Sequence, residues 1–148
     1  MRRIKITSHK MSSKKTFLEF FAGGGMARLG LGDAWRCLLA NDLDPQKCAS
    51  YRTNFGGDDL IEGDIAQISG SDLPRERVDL VWGSFPCQDL SLAGARGGMS
   101  ARRSGAFFPF WSLIEALIAE RRAPRIIAIE NVSGRKRKCS SKLDASPF

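Results

Sequence analysis

The sequence predicts an α/β domain of about five parallel strands with helices on both faces. Between Thr16 and Asn131 short apolar runs alternate with segments of helical period, which is the form taken by strands joined through crossover helices. The runs Val78 to Ser84 and Arg125 to Glu130 are apolar almost without interruption, as strands covered on both faces are. A cluster of glycines follows the first run directly, where an open α/β sheet turns from strand into helix.

The elements follow in order. Strands are expected at Thr16 to Phe21, Arg36 to Asn41, a short stretch near Asp59 to Glu62, Val78 to Ser84 and Arg125 to Glu130. Helices are expected at Met26 to Leu31, at Pro45 to Asn54 with Pro45 in the first turn, and at Phe107 to Arg121. In the last of these Phe107, Phe110, Trp111, Ile114, Leu117 and Ile118 recur at spacings of three and four, which makes a core stripe. After Gly134 the pattern stops. The domain therefore reads as residues 16 to 134, between a basic leader at 1 to 15 and a basic, unpatterned tail at 135 to 148.

A chain of 148 residues, 43% of them hydrophobic, is the length of one domain. Its apolar stretches fall short of the roughly 18 to 20 residues of a membrane span, and the first fifteen residues lack the apolar segment of a secretory signal. The expectation is a soluble protein of the cytoplasm. Cys37, Cys48, Cys87 and Cys139 show no CxxC pairing, so they read as reduced thiols, with no metal site expected. The single histidine, His9, sits in the leader, which weighs against a Ser-His-Asp or Cys-His catalytic arrangement.

The net charge of +7 divides unevenly: six basic residues in 1 to 15, and five basic against one acidic in 135 to 148, leave 12 basic and 15 acidic residues between. The basicity belongs to the ends. It reads either as solvated tail or as contact with a polyanion.

The turn Phe21-Ala22-Gly23-Gly24-Gly25 stands at the carboxyl end of the first strand, where a ligand approaches the main chain closely. Asp42, 19 residues beyond Gly23, falls at the tip of the second strand, where a carboxylate can accept ribose hydroxyls. A dinucleotide fingerprint needs a third glycine at position 28, which is Arg28. Asp64, in Gly63-Asp64-Ile65, can accept from an adenine amino group. One carboxylate for the ribose and one for the base fit S-adenosylmethionine better than NAD. The alternative is a tight turn that binds nothing.

Cys87 stands just past the fourth strand in Phe85-Pro86-Cys87-Gln88, on the same edge. Most cysteines are buried apolar residues. Here Pro86 fixes the backbone before the thiol, and the Gly-, Ser- and Arg-rich segment from Gln88 to Arg103 suits a loop over a polyanion. A nucleophilic thiolate needs a positive neighbour, for which Arg96, Arg102 and Arg103 are candidates. Glu130, in Glu130-Asn131-Val132, reaches the same edge and can give or share a proton there. The alternative is a strand-end glutamate in solvent.

With these residues in place the sequence resembles the DNA (cytosine-5) methyltransferases, with the tRNA cytosine-5 methyltransferases a close variant. Phe21 to Gly25, Asn41-Asp42 with the helix through Tyr51 and Asn54, and Gly63-Asp64-Ile65 resemble its first three motifs. Phe85 to Gln88, Arg103 to Phe108 and Glu130 to Val132 resemble the next three. The resemblance implies part of a Rossmann-like methyltransferase domain that uses S-adenosylmethionine. It implies that Cys87 adds to position 6 of a flipped-out cytosine while Glu130 holds the proton at position 3, so that carbon 5 attacks the methyl group. It places Phe21, Gly23, Gly25, Asp42, Leu43, Asp64, Ile65 and Pro86 at the cofactor. Gln88 and Ser91, with Arg96 and Arg103 in the same loop, fall at the nucleic acid. The partner implied is double-stranded DNA, in the setting of restriction and modification.

Members of that family are about twice this length, and this chain leaves the pattern after Val132-Ser133-Gly134. The expectation is a truncated or frameshifted reading frame, or one half of a split enzyme whose second chain carries target recognition. A remnant that only binds S-adenosylmethionine or nucleic acid is the reading from another class. In the family's strand order the run Arg125 to Glu130 is interior, so an unpaired apolar edge is expected here.

Overall fold

The computed structural model describes residues 14–85 and 105–130. Five strands form one sheet, β1 (Lys15–Phe20), β2 (Trp35–Asp42), β3 (Leu60–Glu62), β4 (Leu80–Ser84) and β5 (Ile126–Glu130), in the order β3-β2-β1-β4-β5. Every pairing is parallel. Among the described residues three α-helices join them, α1 (Met26–Leu31), α2 (Pro45–Phe55) and α3 (Phe107–Ala119). The strands begin and end within two residues of the sequence expectation, and α3 stops two residues early.

Side chains alternate across β1 and sort the core into two layers. Leu18 and Phe20 join Leu39, Val81 and the α3 residues Phe110, Leu113, Ile114 and Leu117 on one face. Phe17 joins Cys37, Ala40, Leu80 and Tyr51 of α2 on the other. Helices therefore cover both faces. The stripe expected on α3 needs correction: Leu113 belongs to it, whereas Trp111 is 37% and Ile118 51% exposed. The core takes one arc of the helix, and those two residues lie at its margins.

Local chemistry sets the ends of the helices. Asp44 caps α2, its Oδ1 accepting from the amides of Gln46 (2.8 Å) and Lys47 (3.4 Å), and Pro45 follows in the first turn. Gly56, at φ +80°, ends α2. Arg121, at φ +58°, closes α3, and the amide of Arg122 returns to the carbonyl of Leu117 at 2.8 Å.

Among the described residues β3 and β5 are the outer strands of the sheet. Ile126, Ile127 and Ile129 of β5 are 53%, 38% and 47% exposed. No helix among the described residues is long and apolar enough to cross a membrane.

Candidate functional site at the carboxyl edge of the sheet

From β1 the chain builds β2 and β3 outward on one side, then returns to add β4 and β5 on the other. The crossovers diverge between β1 and β4, the kind of switch point beyond whose strand ends open α/β sheets place their ligands. The glycine turn after β1 and Phe85 after β4 both leave the sheet there.

The turn is strained at its first residue. Phe21 has φ +59°, a region costly for an aromatic residue, and its ring lies 4.7 Å from that of Phe85 at the end of β4. Gly23 and Gly25 have φ +57° and +85°. A Cβ on Gly23 would meet no atom within 4 Å, whereas one on Gly25 would stand 2.3 Å from Cε2 of Phe55. The backbone at Gly23 is thus open to a ligand, and that at Gly25 is closed against α2.

Asp42 holds this turn. Its Oδ2 accepts from the amide of Gly23 at 2.8 Å and its Oδ1 from the amide of Asp44 at 2.9 Å, with the residue 5% exposed. Each oxygen retains a second lone pair for a ligand hydroxyl. Leu43 beside it is exposed. Asn41 donates from Nδ2 to the carbonyls of Ile61 and Gly63, both at 2.9 Å, and so ties the tip of β2 to that of β3. Asp64 is exposed, its Oδ1 accepting from the amide of Ala66 at 2.9 Å, and Ile65 is buried in the layer beneath α3.

On the far side Glu130 is exposed at the end of β5. A relay orients it. Nε1 of Trp82 donates to Oγ of Ser84 at 2.9 Å, and that hydroxyl donates to Oε2 of Glu130 at 2.8 Å. The amide of Phe85 donates to the carbonyl of Glu130 at 3.0 Å, which joins the end of β4 to the end of β5. Pro86, Cys87, Gln88, Ser91, Arg96, Arg102, Arg103 and Asn131 lie outside the described residues.

Glu19 was missed, although an acid within the apolar run TFLEFF was its signal. It is 1% exposed, and burial pushes its carboxyl up to about 7 while the backbone amides of Arg28 and Ala27 oppose the rise. Burial also pushes the Cys37 thiol up to about 12, which disqualifies it as a thiolate. A cleft of about 390 Å³ opens at the other pole, by the amino ends of β1 and β2, lined by Lys15, Arg36, Glu76, Arg77 and Asp79 among others. Its charges are partly paired, Arg36 with Glu76 and Arg77 with Asp79, and it is not where strand tips converge.

A parallel α/β sheet with a glycine turn and acids at its carboxyl edge defines the class of domains that hold nucleoside-like ligands. Within that class the chain belongs to the C-5 cytosine-specific DNA methylases, whose family model matches residues 15–143. It is 35% identical over 127 residues to the type II methyltransferase M.HpaII of Haemophilus parainfluenzae, covering 85% of this chain and 34% of that protein. With M.Eco47II of Escherichia coli it shares 37% identity over 120 residues, covering 80% and 27%. The crystal structure of the Dnmt2 methyltransferase of S. pombe aligns with a TM-score of 0.63 at 26% identity, covering 82% of this chain and 37% of that one. The chain spans about a third of the length of the curated relatives it matches.

Proposed function

We propose that the chain carries the cofactor-binding and catalytic part of an enzyme that moves a methyl group from S-adenosylmethionine to carbon 5 of cytosine in DNA. The observation that carries this reading is the carboxyl edge itself, where the open backbone at Gly23 and the carboxylate of Asp42 stand at the switch point between β1 and β4. The left-handed turn and the space above Gly23 fit a ligand pressed against the main chain. S-adenosylmethionine, when bound, supplies an electrophilic methyl group. Asp42 receives the ribose hydroxyls on its free lone pairs, Asp64 the adenine amino group, and Phe21, Gly23, Gly25, Leu43, Ile65 and Pro86 complete the cofactor side.

Cys87 acts as thiolate and adds to carbon 6 of the cytosine, which turns carbon 5 into a nucleophile. Glu130 donates its proton to nitrogen 3 as that addition occurs, and the hydroxyl of Ser84 keeps its carboxyl in place. Carbon 5 would take the methyl group as its bond to the sulfonium sulfur breaks, leaving S-adenosylhomocysteine. A base from solvent then removes the proton at carbon 5, and the bond from carbon 6 to the sulfur of Cys87 breaks and returns its electron pair to the thiolate. Nitrogen 3 gives its proton back to Glu130. Gln88, Ser91, Arg96 and Arg103 meet the nucleic acid, and the base must leave the helical stack to be reached. Base-edge contacts that choose a target sequence come from the part of the family that this chain does not span.

The test is methyl transfer from labelled S-adenosylmethionine to cytosine-containing duplex DNA. The chain is mixed with a polypeptide covering the remaining two thirds of a type II methyltransferase such as those above. Label should appear at carbon 5 with the parent, and Cys87→Ala should abolish it while cofactor binding, followed by calorimetry, persists. Equal turnover by the mutant, or a parent that binds no S-adenosylmethionine, would contradict the proposal.

A further inference from the structure

The position at which a dinucleotide-binding turn has its third glycine is Arg28, and its side chain turns inward. Nη1 donates to Oη of Tyr51 at 2.7 Å and to Oδ2 of Asp59 at 2.8 Å. The guanidinium carbon lies 4.8 Å from the ring centroid of Phe55 and 5.6 Å from that of Tyr51. One side chain of α1 thereby grips α2 and the turn before β3.

The rings it grips are those that confine the glycine turn. Beside the 2.3 Å approach of Phe55 to a Cβ on Gly25, Cδ2 of Tyr51 would stand at 3.2 Å. Asn54 of the same helix donates to the carbonyl of Gly24 at 3.2 Å. Gly25 thus keeps its left-handed conformation against a wall of two rings, and Arg28 holds the wall. Arg28 is also the cation of a crowded acidic site: Glu19 and Asp59 each have a buried carboxylate oxygen with no partner among the described residues. Loss of the guanidinium would leave both acids without a counter-charge.

We propose that Arg28 is a positioning residue, which fixes the conformation of Gly23 to Gly25 by clamping Tyr51, Phe55 and Asp59 behind them. It is neither a ligand contact nor a general support of the sheet. The consequence for cofactor affinity rests on the pocket reading above; the effect on the turn does not.

Two measurements on the whole chain separate these. Hydrogen exchange, read by NMR, reports the turn through the amides of Gly23, Gly25 and Leu29, which donate to Asp42, Ala22 and Gly25 respectively. Arg28→Met should speed their exchange at least about tenfold while Leu18 and Val81, within the sheet, keep parental rates. Arg28→Lys, which restores a donor and a charge, should recover part of the protection. Should Arg28→Met fail to fold, Tyr51→Phe removes one hydroxyl only and should show a smaller acceleration at the same three amides. Acceleration spread evenly through the sheet, or parental rates at the turn, would overturn the proposal. Affinity for S-adenosylmethionine should fall about tenfold in Arg28→Met and less in Arg28→Lys. Local loosening in a chain whose parent binds no S-adenosylmethionine would support the clamp and overturn the pocket reading instead.

Discussion

Gly23 and Gly25 share a backbone conformation and differ in what surrounds them, so alanine should act differently at each. At Gly25 the methyl group adds a collision with Phe55 to left-handed strain, and Gly25→Ala should lower stability by about 3 kcal/mol in denaturant unfolding. At Gly23 only the strain applies, and Gly23→Ala should cost about 1 kcal/mol while S-adenosylmethionine binding, the function of the open side, is lost. Equal effects on stability would contradict this division. Glu19 makes a separate prediction. Its carboxyl is raised from 4.5 to about 7, so the folded state holds the proton more tightly than the unfolded chain. The resulting contribution is fully present below pH 4.5 and is lost as pH rises through about 7, up to about 3 kcal/mol. Glu19→Gln cannot ionise and should flatten the fall of the urea midpoint between about pH 5 and 8; parallel profiles would show that Glu19 does not titrate there.

The elements were the most legible part of the sequence, because hydrophobic period and end signals are local. Pro45 marked the start of α2, the apolar runs marked β4 and β5, and Gly23 to Gly25 marked the turn; the cap by Asp44 was not read from the sequence. Contacts between distant residues were not legible. Arg28 reaches Asp59 across 31 positions, and Ser84 reaches Glu130 across 46. Neither side chain carries a sign of its partner in sequence, and Arg28 showed itself only as a missing glycine. The exposure of Trp111 and Ile118 likewise depends on how far the sheet extends beneath α3. At this scale β5 also has a measurable property. Among the described residues its exposed isoleucines stand on an outer strand of the sheet, an association template. Sedimentation velocity should show concentration-dependent self-association of the chain, reduced in Ile127→Lys; a parent that stays monomeric would contradict it.

For the whole molecule, the strand order divides the sheet into two poles of different chemistry. At the carboxyl ends stand the glycine turn, Asp42, Asp64 and Glu130; at the amino ends lies the cleft of Lys15, Arg36, Glu76, Arg77 and Asp79. The fold class followed from alternation of strands and helices, but the order β3-β2-β1-β4-β5 did not, since parallel neighbours are chosen by packing of the crossovers. That order is what brings Phe21, after β1, and Phe85, after β4, into ring contact at 4.7 Å at the carboxyl edge. Binding of S-adenosylmethionine at this edge is tested most directly by titrating the chain with that compound and following amide chemical shifts. Saturable shifts should concentrate at Gly23, Gly24, Leu43, Gly63 and Asp64. Shifts confined to Lys15, Arg36 and Arg77 at the other pole, or none at all, would contradict it.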